Sequence, residues 1–180
     1  MILVYGTASS GKSNIAEQMS VDFSKKRGTS LVYLATMENE TKASKERIRK
    51  HRAMREGKGF YTIEEPDRLK THVLSVSGKT VLLECVSNYC ANVYFKVFGE
   101  RVASDAEIDN LSEDIVSQIL MIASSAMETI VVTNDIFGDG TVYDEWTESY
   151  MRLLATVNAR LGAECDRFYE VVNGIPVEIK

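Results

Sequence analysis

The eight residues GTASSGKS, Gly6 to Ser13, have the spacing G-x-x-x-x-G-K-S, and each fixed position answers a need of a bound triphosphate. Glycines at 6 and 11 let the chain curl so that successive amide N–H groups point at phosphate oxygens. A helix opening at Lys12 adds its partial positive charge. The Lys12 ammonium can then act on the outer phosphates, and the Ser13 hydroxyl can hold Mg2+. The flanks distinguish such a loop from an ordinary Gly/Ser turn. MILVY before it is a short apolar run and Lys12 to Arg27 has helical spacing, which is the strand–loop–helix context that phosphate binding requires. The loop leaves the base and the reaction open.

Mg2+ also needs a carboxylate at the end of a neighbouring strand. Glu84 closes VLLEC in a suitable position, and Asp135, after VVTN, is the competing candidate. Either could instead cap a helix or be a satisfied strand-end acid.

The stretch ERIRKHRAMR, residues 46 to 55, sets one of only two histidines among five Lys or Arg residues. On a helix Arg47, His51 and Arg55 fall at i, i+4 and i+8, on one face. Two guanidiniums there could grip a polyphosphate whose other side sits in the loop. Nearby cations disfavour imidazolium, and a neutral imidazole is a nucleophile able to attack a nucleotide phosphorus. By charge and spacing alone, the same segment also reads as a solvated helix face. The other histidine, His72 in LKTHVLSV, has no comparable setting and is expected to be structural.

These groups need a scaffold. MILVY, SLVYLAT, TVLLEC and TIVVTN are brief, β-branched-rich runs expected as buried parallel strands. Helical spacing occupies Lys12 to Arg27, Lys42 to Arg55, Ser87 to Phe98, Ile108 to Met127 and about Asp144 to Leu161. RFYEVVNG is expected as a last strand and IPVEIK as a short extended tail. Gly28, after Lys25, Lys26 and Arg27, suits a helix stop. The polar stretch GERVASDAEID, Gly99 to Asp109, reads as a surface loop. Strands alternating with helices predict an α/β fold, a mostly parallel sheet with helices on both faces.

At 180 residues the chain is the size of a single domain, 1–180, with a core that needs no disulfide or metal. Its net charge of −5 argues against a general nucleic-acid partner. Between Thr41 and Lys58, however, eight Lys or Arg face two Glu, a local balance of +6 that leaves the rest at −11. No apolar run is long enough for a membrane span, and Cys85, Cys90 and Cys165 lack paired spacing. A reducing, cytoplasmic setting with buried or neutral thiols is expected.

In their order along the chain, GTASSGKS, YLAT, RIRKHRAMR with YTIEEP, LLECVSNYCAN, VVTND and VNARLGAECDRFYEVVNGIPVEIK resemble the bifunctional adenosylcobinamide kinase and adenosylcobinamide-phosphate guanylyltransferase family. The pattern R-I-x-x-H-x-x-x-R with the V-x-G-I-P end carries most of that likeness.

The resemblance implies a RecA-like P-loop fold and a trimer. It also implies two reactions of cobalamin assembly. Adenosylcobinamide is phosphorylated with ATP or GTP, and GMP then passes from GTP to adenosylcobinamide phosphate. His51 matches the histidine that carries GMP, and Lys12 is its catalytic partner at the phosphates. Nucleotide contacts carry over to Gly6, Thr7, Ala8, Ser9, Ser10, Gly11, Lys12 and Ser13. They also carry over to Ala35, Thr36 and Met37, to Arg52, Ala53, Met54 and Arg55, and to Glu64 and Glu84, with Ser13 and Glu84 as the metal pair.

The chain departs from the family pattern at Glu56, where proline is usual, and its spacing from there to Glu64 is longer. Ser87, Asp135 and Tyr143 replace a threonine, a glutamate and a proline. The residues alone also accommodate a P-loop kinase of another small hydroxyl substrate, or a non-catalytic RecA-like nucleotide-binding module.

Overall fold

The four apolar runs form the middle of one sheet. The computed structural model describes residues 1–38, 42–138 and 140–180. In chain order its elements are β1 (Ile2–Tyr5), α1 (Lys12–Arg27), β2 (Leu31–Ala35), α2 (Lys42–Arg55), β3 (Phe60–Glu64), a 3-10 turn (Leu69–His72) and β4 (Thr80–Glu84). There follow α3 (Val86–Phe98), α4 (Asp105–Ser125), β5 (Glu128–Val132), α5 (Glu145–Glu164), β6 (Arg167–Val172) and β7 (Ile175–Glu178). The sheet order is β3-β2-β4-β5-β1-β6-β7. Every pairing is parallel except β6 with β7.

Side chains alternate across a strand, so each central strand feeds two cores. Leu3, Val32, Leu34, Val81, Leu83 and Val131 pack with α3, α4 and α5 on one face. Ile2, Val4, Tyr33, Leu82, Ile130 and Val132 pack on the other, against Ala16, Ile15, Met19 and Phe23 of α1. The expected covering of both faces is therefore met, with α1, entered from the phosphate loop, on the second face. The loop, the end of β2 and the end of β4 all lie at the carboxyl edge of the sheet, where ligands of open α/β sheets bind.

Three boundaries differ from the sequence reading. The loop expected over Gly99 to Asp109 stops at Ser104, because α4 begins at Asp105 with a capping box. The Ser104 hydroxyl accepts the Glu107 N–H, and the Glu107 carboxylate accepts the Ser104 N–H at 2.9 Å. Polar composition concealed a helix start. Phe60–Glu64 is a strand at the sheet edge, half-exposed, and so lacks the unbroken apolar run of the buried strands. The tail IPVEIK is not merely extended, since Ile175–Glu178 pairs antiparallel with β6.

Helix α1 ends as expected, at Gly28 with φ 66°, its N–H donating to the Ser24 carbonyl. All three cysteines are buried and free. Burial pushes the Cys85 and Cys90 thiols up, which keeps them protonated. Among the described residues no helix is long and apolar enough to cross a membrane.

Candidate nucleotide site

The phosphate loop leaves β1 and enters α1 through two positions that exclude side chains. A Cβ at Gly6 would lie 2.7 Å from Ser10 Oγ and 2.8 Å from the Val171 carbonyl oxygen. Gly11 caps α1 at φ 93°, in the left-handed region, and a Cβ there would approach Gly174 Cα at 3.2 Å. Gly174 belongs to the β6–β7 turn, and its N–H donates to the Ser10 carbonyl at 2.7 Å. The hairpin thus forms a floor beneath the loop. Lys12 is buried and its ammonium donates to the Thr7 carbonyl at 2.9 Å, arching over the loop it serves. Burial lowers its pKa, and the charge of Glu84 opposes that shift. Ser10 Oγ is buried without a hydrogen-bond partner, an unmet polar group inside the loop.

Strand alternation accounts for the position of Glu84. It sits two residues beyond Leu82 and therefore faces α1, as Tyr33 does from β2. Its carboxylate accepts the Ser13 hydroxyl and, at 3.1 Å, the Tyr33 hydroxyl. The imidazole of His51 completes the group, with Nδ1 3.6 Å from Glu84 Oε1. Burial pushes the Glu84 carboxyl up, but the His51 and Ser13 contacts outweigh it and hold the pKa below the usual carboxylate value. Burial, then the adjacent Glu84 charge, raises the Tyr33 phenol well above its ordinary value, so it remains a donor. Asp135, the competing acid, meets the phosphate loop at its first residue. Its N–H donates to the Gly6 carbonyl at 2.9 Å, and its carboxylate accepts the Phe137 N–H at 3.1 Å.

Helix α2 descends onto this group. Arg47 is exposed, His51 partly covered and Arg55 buried. The expected pair of arginines around the imidazole takes a different form. The Arg55 guanidinium lies 3.3 Å from the ring centroid of Tyr33, stacked on the residue that also binds Glu84. His51 Nδ1 and Arg55 Nη1 are both buried without a hydrogen-bond partner. The sequence surrounded His51 with cations. The structure adds a carboxylate at Nδ1 that the sequence reading assigned only to Ser13.

The remaining carried-over positions divide into three groups. Arg52 and Glu64 pair with each other on the surface. Arg52, Ala53 and Arg55 line a cavity of about 710 Å3 with Phe60 and Thr62, whereas Met54 and Ala53 line a smaller recess on another side of the helix. Ala35 ends β2. The buried Thr36 is committed to the backbone, its hydroxyl donating to the Cys85 carbonyl at 2.7 Å and accepting the Cys85 N–H at 2.8 Å. Met37 follows it, partly covered. His72, expected to be structural, has its Nε2 3.0 Å from the buried Glu65. Sequence reasoning missed Tyr33 and Gly174. Alternation in SLVYLAT and the N-G turn between two apolar runs are the signals that mark them.

The chain is similar to known proteins along nearly its whole length. The bifunctional adenosylcobalamin biosynthesis protein CobU of Escherichia coli is 30% identical, across 100% of this chain and 99% of that protein. The CobU of Salmonella typhimurium is 29% identical over the same shares, and the CobP of Pseudomonas aeruginosa 26% identical over 99% of this chain and 96% of its own length. Among solved structures, the flagellar accessory protein FlaH of Methanocaldococcus jannaschii superposes with a TM-score of 0.50 at 14% identity, over 99% of this chain and 77% of that one. That likeness concerns the fold alone, and it agrees with the RecA-like P-loop architecture expected from the sequence. The family model described as cobinamide kinase / cobinamide phosphate guanyltransferase matches residues 2–179, and the chain belongs to that enzyme family.

Proposed function

We propose that this chain phosphorylates adenosylcobinamide with ATP or GTP and then transfers GMP from GTP, through a guanylylated His51, to adenosylcobinamide phosphate, giving adenosylcobinamide-GDP. One observation carries the reading. A single buried carboxylate, Glu84, meets both the phosphate-loop hydroxyl of Ser13 and the imidazole of His51. Nucleophile and phosphate cradle are thereby held in one contact group.

The chemistry follows from which nitrogen faces Glu84. A proton on Nδ1, directed at the carboxylate, leaves the Nε2 lone pair free. Nε2 attacks the α-phosphorus of GTP, the bond from that phosphorus to the bridging oxygen breaks, and pyrophosphate departs. Glu84 balances the positive charge growing on the ring. A phosphate oxygen of adenosylcobinamide phosphate next attacks the same phosphorus, the P–N bond breaks, and imidazole is restored. For the kinase step Lys12 and the amides of residues 6–13 hold and orient the donor phosphates, catalysis being mostly positioning. Ser13 and Glu84 present hard oxygen donors side by side and fit Mg2+, which when bound neutralises phosphate charge. Residues 35–37, 52–55 and 64 serve the nucleoside side. A cytoplasmic homotrimer belongs to the same reading.

The test is labelling with GTP carrying radioactivity at the α-phosphate. Acid-labile, alkali-stable label is expected on the wild-type chain and none on His51→Ala. An unlabelled wild type, or full labelling of His51→Ala, overturns the proposal. A plain kinase would transfer only γ-label, and a binding module would bind GTP without turnover.

A further inference from the structure

Beyond the residues assigned to the reaction, one partly buried charge pair joins the turn after α2 to the phosphate-loop helix. Glu17, in the second turn of α1, is wholly buried, and its Oε2 accepts from Lys58 Nζ at 2.7 Å. Lys58 lies in the turn after α2, where its N–H donates to the Arg55 carbonyl at 3.1 Å. The seam therefore has three anchors at intervals of about one helical turn: His51 on Glu84, Arg55 on the Tyr33 ring, and Lys58 on Glu17. Three buried atoms along it lack a hydrogen-bond partner: His51 Nδ1, Arg55 Nη1 and Glu17 Oε1. The seam is closed by charge and is not fully satisfied.

The asymmetry between the anchors indicates what the pair does. His51 touches Glu84 only at 3.6 Å, beyond hydrogen-bond reach, so that contact does not fix the ring by itself. A carboxylate as deeply buried as Glu17 strongly requires its cation, so the turn carrying Lys58 is held wherever Glu17 sits. Glu17 is rigidly placed, five residues beyond Lys12 on the same helix. Resting on the guanylyl-transfer reading above, we propose that Lys58 and Glu17 act as a positioning pair that sets the distance from His51 to the α-phosphorus. Neither touches the reacting atoms. Placement errors near 1 Å can cost on the order of a hundredfold in rate, so a latch at the end of α2 acts on chemistry more than on binding.

The experiment compares wild type, Lys58→Met, Lys58→Arg and the double variant Glu17→Gln/Lys58→Met, which removes the pair without stranding a carboxylate. Three quantities are read: GTP affinity, the single-turnover rate of α-phosphorus labelling at saturating GTP, and hydrogen exchange across residues 42–60. The expected result is at least a tenfold slower labelling in Lys58→Met and in the double variant, with GTP affinity within threefold of wild type. Exchange over 42–60 accelerates while that of α1 and β4 is unchanged, and Lys58→Arg restores both readouts. Wild-type labelling and exchange in Lys58→Met and the double variant would overturn the proposal. So would a parallel fall of affinity, labelling and α1 protection, which marks general unfolding. A wild type that takes no label overturns the guanylyl-transfer reading instead, and the exchange data then decide separately whether the latch exists.

Discussion

Glu84→Gln isolates the electrostatic part of the mechanism. The amide keeps the size of the carboxyl; its oxygen can still accept from Ser13, while its NH2 group, in place of the oxygen that accepted from Tyr33, donates to that hydroxyl instead, so the main change is the loss of one negative charge 3.6 Å from His51 Nδ1. Two full charges at 3.6 Å interact by about 4.6 kcal/mol at an effective dielectric constant of about 20. If the imidazole gains half a charge as Nε2 bonds to phosphorus, the transition state loses about 2.3 kcal/mol, or about 50-fold in rate. The assay is single-turnover α-phosphorus labelling at saturating GTP and Mg2+, so that weaker binding does not enter the rate. A Glu84→Gln rate within threefold of wild type would refute the reasoning, because Glu84 would then contribute shape alone.

Two further outcomes follow from the same contacts. Tyr33→Phe removes a hydrogen bond to a buried carboxylate and should lower stability by about 2 kcal/mol at pH 7. The folded-state pKa of Glu84 is depressed, so that stability is present above the unfolded value of 4.5 and is lost as pH falls through the folded one. Denaturant titrations of both proteins at pH 7 and pH 3 should show the difference shrinking in acid, and an equal difference at both would place the Tyr33 contribution elsewhere. Gly6→Ala puts a methyl group 2.8 Å from the Val171 carbonyl oxygen, a backbone atom that cannot turn aside. It should cost about 1–3 kcal/mol and abolish tight GTP binding. Calorimetric GTP affinity close to wild type would contradict the tight loop.

Legibility in the sequence followed the range of each interaction. GTASSGKS was readable because strand, loop and helix are contiguous, and its demands on Gly6 and Gly11 are local. Glu84 was readable as the last residue of a strand, and its face follows from alternation with Leu82. His51 was marked by spacing to Arg47 and Arg55, but the partners of those arginines were not. Arg55 stacks on Tyr33 and Lys58 reaches Glu17, contacts set by how α2 returns across the sheet. Edge strand β3 was hidden because half-exposed strands lack the continuous apolar signal. The start of α4 was written in Ser104 and Glu107, and the loop reading gave weight to polarity over capping.

The position of β1 has a consequence for how the protein is made. β1 is synthesised before every other strand, yet its neighbours in the sheet are β5 and β6, and its loop rests on Gly174 in the turn beyond β6. During translation GTASSGKS therefore emerges with nothing to pair with until residues 128–174 have left the ribosome. A nascent chain carrying the first two-thirds of the sequence has the loop, His51 and Glu84 but neither strand that flanks β1. The placement of the first strand in the sheet thus waits on the most distant contacts in the chain.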